Sequence, residues 1–299
     1  MAKISPKDGR LGLLAQAPRI VNMKKTDFKV VLWGTQGSIA VSNAKKTRYG
    51  CNTSCVSAEC GDNVFVFDMA TGFLPFSAYF LKKYELPKSI DVFISHYHQD
   101  HIEGLPFADV TYAPDVSITF HSQPAEGQSP EQILIDNYSP PIFPMNLIKQ
   151  AAPGKFSFNT ISSGSTVSLV DGAVAVQCLA VSHPGGSLSF KLTYNGKSFC
   201  YLSDYEYGDG LTRELKAFLK DADLVVFDAY FTNETLIPGW GHSSWEQGVE
   251  VWRDAGIKKL AMYHHHISAT DKDLDALAAK LTAISEKLIV GKDGMEIYL

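Results

Sequence analysis

Four side chains able to hold a metal ion, His96, His98, Asp100 and His101, fall within the heptapeptide Ser95-His-Tyr-His-Gln-Asp-His101. The stretch follows the apolar run Asp91-Val-Phe-Ile-Ser95, which reads as a strand. Imidazole and carboxylate groups are good ligands for zinc and similar divalent metals. Side chains alternate along a strand, so His96 and His98 are expected to share a face and converge on one ion. Asp100 and His101 come after the chain turns and are placed to face a second. The bland reading is a solvated polar loop, and the density of ligand types argues against it. A site of this kind needs a sheet scaffold whose strand ends gather the remaining ligands.

Three more ligand-type residues sit where strands should end. His183 follows the apolar run 174–181 and precedes Pro-Gly-Gly, Asp204 follows Phe199-Cys-Tyr-Leu-Ser203, and His264 follows Lys259-Leu-Ala-Met-Tyr263. Each alone fits a capping or core role as well as a metal. A carboxylate can join two metals through its two oxygens, which imidazole cannot do. His242 lies in Gly239-Trp-Gly-His-Ser-Ser-Trp245, just before a helix capped by Ser243 or Ser244, with Glu246 or Gln247 in its first turn. Helix N-termini favour anions, so His242 is placed to give a proton to a phosphate oxygen; helping to cap the helix is the alternative. Asp68 and Asp228 also end strands and are candidates to fix the free ring N–H of a ligand histidine. Of the consecutive His264, His265 and His266, only one can easily face the metal. His121 reads as structural.

The chain has 299 residues, 45% hydrophobic and 20% charged, enough for a sizeable core. A net charge of −5 and a pI near 6.0 give no support to strong nonspecific nucleic-acid binding. There is no apolar run of membrane length and no secretory segment, so no membrane partner is expected. The five cysteines, Cys51, Cys55, Cys60, Cys178 and Cys200, read as reduced thiols, buried where they lie in strands, and point to the cytoplasm. Residues 1–27 read as an N-terminal extension and 28–299 as a single domain. Strands are expected at 29–33, 55–60, 63–67, 91–95 and 117–121, then at 167–169, 174–182, 188–194, 198–203, 224–229, 259–263, 287–290 and 295–298. Helices are expected at 75–84, around 102–107, near 131–137, and at 211–220, 244–255 and 271–284. Strands with flanking helices in each half suit an α/β fold, two stacked sheets with helices outside, an αββα four-layer sandwich. The middle, 112–155, reads mainly as loops whose aromatics pack either over the site or onto the core.

The order His96-x-His98-x-Asp100-His101, then His183, Asp204 and His264, resembles the metallo-β-lactamase superfamily. Trp33-Gly-Thr-Gln-Gly-Ser38, Tyr49-Gly-Cys-Asn-Thr-Ser-Cys55, His101-Ile-Glu-Gly-Leu-Pro106, His183-Pro-Gly-Gly-Ser-Leu188, Gly241-His-Ser-Ser-Trp245 and Tyr263-His-His-His266 look like its phosphodiesterase branch, which includes ribonuclease Z and bacterial cyclic-nucleotide phosphodiesterases. The resemblance covers the chain from about Phe28 onward. It implies a cofactor of two divalent metal ions, zinc foremost, with manganese or iron as alternatives. His96, His98 and His183 would hold one, Asp100, His101 and His264 the other, and Asp204 would join them beside a hydroxide. Asp100 and His242 are the candidate catalytic residues, His242 as the acid that contacts phosphate. The implied reaction is hydrolysis of a small phosphodiester, foremost a cyclic nucleotide. Alternatives are another ester (lactone or thioester), RNA 3′ ends, or a nucleotide-binding module without turnover. The short stretch between Asp204 and His242 leaves little room for the tRNA-clamping arm of ribonuclease Z, which argues against structured nucleic acid as partner. Self-association as a homodimer is a further implication. The chain departs from its relatives at His265-His266-Ile267, where many have His-Asp-Pro, and at Met69, where a small residue is usual.

Overall fold

A computed structural model describes residues 28–299, so the extension expected over 1–27 lies outside the described residues. The first half supplies β1 (Phe28–Gly34), β2 (Cys55–Cys60), β3 (Asn63–Phe67), β4 (Lys88–Phe93), β5 (Val116–Ser122) and β6 (Phe156–Thr160). The second supplies β7 (Thr166–Leu169), β8 (Val174–Val181), β9 (Ser187–Tyr194), β10 (Lys197–Leu202), β11 (Leu224–Asp228), β12 (Leu260–Tyr263) and β13 (Leu288–Val290). The last strand, β14 (Met295–Tyr298), crosses back and pairs antiparallel with β1. The two seven-stranded sheets therefore run β14-β1-β2-β3-β4-β5-β6 and β13-β12-β11-β10-β9-β8-β7.

Both sheets share one design. Pairing is antiparallel through β3 and parallel from β3 to β6. In the other sheet it is antiparallel from β7 to β10 and parallel from β10 to β13. Parallel strands put their C-terminal ends on one side, where loops collect functional groups. Asp68 follows β3 and Asp204 follows β10, so the two acids stand at the equivalent switch points. Both adopt the left-handed backbone, φ 58° and 48°, as does His264 after β12 at 55°. Non-glycine residues held in that region are uncommon and collect at functional sites.

Three apolar layers make the sandwich. Between the sheets, Phe67 packs against Phe93, Phe190, Phe199 and Tyr201 at 5.3–5.9 Å between ring centroids. Outside the first sheet lie α1 (Phe73–Lys83), α2 (Gln99–Ile102), α3 (Asp109–Tyr112), α4 (Pro130–Asn137) and α5 (Leu147–Gln150), over a second cluster. Outside the other lie α6 (Arg213–Leu219), α7 (Trp245–Ala255) and α8 (Asp271–Ile284), over a third. The four-layer α/β sandwich expected from the sequence is the architecture found.

The 112–155 segment packs onto this core. Leu134, Ile135, Tyr138, Leu147 and Ile148 are buried against the first sheet, and the Tyr138 hydroxyl donates to the Ile102 carbonyl at 2.6 Å. Four cysteines are buried and Cys51 is half-buried, all as free thiols. No helix among the described residues is long and apolar enough to cross a membrane.

Candidate metal centre

The strand expected at 91–95 ends earlier. β4 stops at Phe93, and His96 and His98 lie in an extended loop rather than on one strand face. The cause is local: the Ser95 N–H donates to Asp68 Oδ1 at 2.7 Å instead of to a neighbouring strand. The two rings still converge, 4.4 Å apart between centroids. His98 caps α2, which carries Asp100 and His101 into the same space.

All seven expected ligands meet there. His96, His98, His183 and Asp204 form one group of ligand atoms within 4.8 Å of one another; Asp100, His101 and His264 form another. Asp204 stands between them. Its Oδ1 is 3.0 Å from His101 Nε2 and 3.2 Å from His264 Nε2, while its Oδ2 is 3.7 Å from Nε2 of both His96 and His183. Asp100 Oδ2 accepts the Ser38 N–H at 2.7 Å and lies 3.2 Å from His264 Nε2.

The surrounding hydrogen bonds decide which ring nitrogens face inward. Asp68 Oδ2 takes the His101 Nδ1 proton at 2.7 Å, and the same carboxylate accepts from the hydroxyls of Ser95 and Tyr201, each at 2.8 Å. That network commits Nδ1 to Asp68 and turns Nε2 toward the cluster, the atom a cation would take on displacing its proton. His183 Nδ1 donates to the Gly241 carbonyl at 2.8 Å, freeing its Nε2 in the same way. The donor set fits divalent cations. Among the described residues Nε2 of His96 and of His101 are buried without a hydrogen-bond partner, and His183 Nε2 stands 3.2 Å from His98 Nδ1. Such crowding of lone pairs and carboxylates is unfavourable without positive charge between them.

Charge states agree with this. Burial holds His96 well below the usual histidine range, and also lowers His98 and His183, so these three are neutral. Burial opposes ionisation of Asp204, yet His101 and His264 hold its carboxyl well below the usual carboxylate range. Burial likewise disfavours the Asp100 charge, but His101 outweighs it and the carboxyl stays ionised. Burial also lowers His101, but Asp204, Asp100 and Asp68 overcome it and raise the ring well above the usual range.

His242 joins the cluster from the start of α7. Its Nδ1 is 2.8 Å from Asp228 Oδ2 and 3.9 Å from Asp204 Oδ2. Asp228 thus fixes His242 directly and lies 3.9 Å from His264 Nδ1. Burial depresses the His242 ring, but the Asp228 charge and hydrogen bond prevail and push it up to about 9. Ser244, not Ser243, caps α7, in a capping box with Gln247. His265 turns inward and its Nε2 donates to the Gly291 carbonyl at 2.9 Å, whereas the His266 ring lies on Tyr230. His121 bonds Asp91 at 2.8 Å and stacks on Phe93, the structural role expected of it.

Four contributors had no role assigned from the sequence, although Ser38 falls in one of the stretches that carry the resemblance. Ser38 donates its N–H to Asp100, Tyr201 braces Asp68, and Tyr230 stacks on His242 at 4.7 Å. Glu206 receives the N–H groups of Gly239 and Gly241, each at 2.8 Å, and so fixes the turn beside His183. Gly241 has φ 82°, and a Cβ there would lie 2.4 Å from His183 Nδ1. Only proximity in the fold reveals such partners, apart from the glycine, which the Gly-His-Ser-Ser stretch contained.

Residues 65–266 match the family model of the beta-lactamase superfamily domain. The chain belongs to that superfamily. It is similar to ribonuclease Z of Streptococcus sanguinis (strain SK36), 28% identical over 147 residues, which cover 48% of this chain and 42% of the relative. The match therefore spans less than half the length of that protein. Among solved structures it resembles the metallo-beta-lactamase fold protein YhfI of Bacillus subtilis, with a TM-score of 0.67, 17% identity, and 92% of this chain and 100% of that one covered. It also resembles human tRNase Z, short form, with a TM-score of 0.61, 17% identity, and coverage of 90% and 98%. At such identities the structural likeness establishes the fold.

Proposed function

We propose that the protein is a metal-dependent phosphodiesterase working through two divalent cations, zinc foremost, on a small phosphodiester of the cyclic-nucleotide class. The observation that carries this reading is the division of Asp204, one oxygen facing His101 and His264 and the other facing His96 and His183. His96, His98 and His183 would hold one cation and Asp100, His101 and His264 the other, with Asp204 placed between the two groups. When bound, the cations supply Lewis-acid polarisation of a phosphoryl group and lower the pKa of water at the site.

The chain's own residues do the rest. Asp100 would serve as a ligand beside His101 and His264, its Oδ2 oriented by the Ser38 N–H. His242 is the proton donor. With Nδ1 tied to Asp228, its Nε2–H is the group left to meet a phosphate oxygen and to protonate the leaving oxygen. Tyr230 stacked on the imidazole keeps it from rotating away.

RNA 3′ ends are the second reading, favoured by the ribonuclease Z relative and disfavoured by the net charge of −5. The test is metal analysis together with one panel of substrates: 3′,5′- and 2′,3′-cyclic nucleotides, a lactone, a thioester and a tRNA precursor. Two metals per chain and turnover of the cyclic nucleotides are expected. Turnover of the lactone or thioester alone would overturn the reading, cleavage of the precursor alone would select RNA, and nucleotide binding without turnover would select a binding module.

A further inference from the structure

Lys46 is a buried cation that stands outside the ligand cluster. It lies on the loop between β1 and β2, only 2% exposed, and its Nζ donates to Gln36 Oε1 at 2.8 Å. A buried ammonium is costly unless a partner meets it. Burial disfavours its charge, while Cys51, Asp293 and Asp271 favour it. Gln36 is itself fully buried. An ammonium has donors only, so it takes the oxygen of the amide and leaves Nε2 to donate to the Ile39 carbonyl. Lys46 thus fixes which way the Gln36 amide faces, and the amide closes the turn 36–39.

That turn rests directly on the cluster. The Gln36 N–H bonds the Asn52 carbonyl at 2.9 Å, and the Gly37 N–H bonds the His265 carbonyl at 3.0 Å. Gly37 lies so close to His264 that a Cβ on it would be 2.5 Å from the ring Nδ1. Ser38 takes the left-handed backbone, φ 66°, and from there donates its N–H to Asp100 Oδ2 at 2.7 Å. A non-glycine residue persists in that conformation only where its surroundings hold it. Both contacts fall on expected ligands of the Asp100, His101 and His264 group. We propose that Lys46 is a positioning residue for this group: through Gln36 it holds the turn that orients Asp100 and packs on His264. The inference rests on the reading of the cluster as a two-cation centre.

Lys46→Met keeps most of the stem and removes the ammonium. Gln36→Glu keeps a partner for Lys46 but puts an acceptor where the Ile39 carbonyl needs a donor. Lys155→Met is the control, since Lys155 is also buried but spends its Nζ on the carbonyls of Val110, Ala113 and Val116, away from the cluster. Zinc binding to the chelator-stripped proteins is measured by calorimetry, and exchange of the Ser38 amide proton is followed by NMR in the metal-free state. Loss of a group that orients a ligand typically costs about tenfold or more in metal affinity. Lys46→Met and Gln36→Glu should each weaken one cation by about tenfold, the same one that Asp100→Asn weakens, and leave the other unchanged. Lys155→Met should change neither. If the wild type takes up two cations and the variants weaken both alike or neither, the positioning role is overturned while the two-cation reading stands. Where Lys46→Met does not fold, Gln36→Glu carries the test by itself. If the wild type takes up fewer than two cations, that reading fails and the Ser38 amide alone decides: faster exchange than in the wild type and in Lys155→Met upholds the hold on the turn, and equal exchange overturns it.

Discussion

Asp68 is not one of the clustered ligand candidates, yet it sets how His101 presents itself to them. Its carboxylate is buried and satisfied by Ser95, Tyr201 and His101, which locks one tautomer of the histidine. Tyr201→Phe removes one donor while keeping the ring packed in the core. Metal affinity should fall by roughly tenfold, as is usual for partners that orient a ligand, with a loss of only about 1 kcal/mol in stability. Metal titration alongside thermal melting checks both, and an unchanged affinity would show that Asp68 does not need the tyrosine. His242 gives a second test. The acid role proposed for it requires the protonated ring, so activity should be present below its pKa and be lost as pH rises through it. Against burial, the Asp228 charge and hydrogen bond push the ring up to about 9, and positive charge nearby would lower it. The alkaline limb of kcat should lie at or below pH 9, and His242→Ala should lose that limb along with roughly a hundredfold or more in kcat while retaining its metal. Full activity in that variant would remove the assigned role.

At the level of elements, the N-terminus of α7 has two duties, since its capping box lies directly after His242. Ser244→Ala should cost about 1 kcal/mol and a few degrees of melting temperature, and should lower kcat through a less fixed His242. Thr270→Ala, at the similar capping box of α8, should cost about the same stability with no such kcat change; equal kcat losses in both would make the effect merely structural. These caps also show what was legible from sequence. α8 and β14 have the bounds expected, because a capping box and a clean alternation mark them. β6 was missed, since Phe156-Ser-Phe-Asn-Thr is a short edge strand with little buried surface, and α3 and α5 are single turns. β4 begins at Lys88, where polar residues conceal a parallel strand end, and it stops early because Asp68 claims the Ser95 N–H. Of the seven expected ligands, His183, Asp204 and His264 could be picked out because each follows a strand, and His96, His98, Asp100 and His101 because they crowd into one heptapeptide. Of their braces, Asp68 was legible at its strand end and does bond His101 Nδ1, whereas Tyr201 was not, because it meets Asp68 only when the two sheets stack.

Across the whole molecule, each half contributes to both candidate ligand sets, and the protonation of the two sets differs. His96, His98 and His183 are held below the ordinary histidine value of 6.5, chiefly by burial, so their group is already deprotonated where a free imidazole would begin to gain a proton. His101 is the reverse: burial lowers it, but the carboxylates around it keep a proton on the ring until a cation displaces that proton. Zinc at the first group should therefore bind down to below pH 6.5, whereas filling of the Asp100, His101 and His264 group should release a proton and weaken sooner as pH falls. Cations that bind only the folded protein raise its melting temperature by mass action, about 2.7 kcal/mol at a hundredfold excess over Kd. Melting of the chelator-stripped protein with added zinc, repeated across pH, should give a stabilisation that grows in two stages from acid to neutral pH. Calorimetry in buffers of different ionisation enthalpy should register the proton only in the second stage. One stage, or a proton released with the first cation, would mean that the two groups do not load as independent sites.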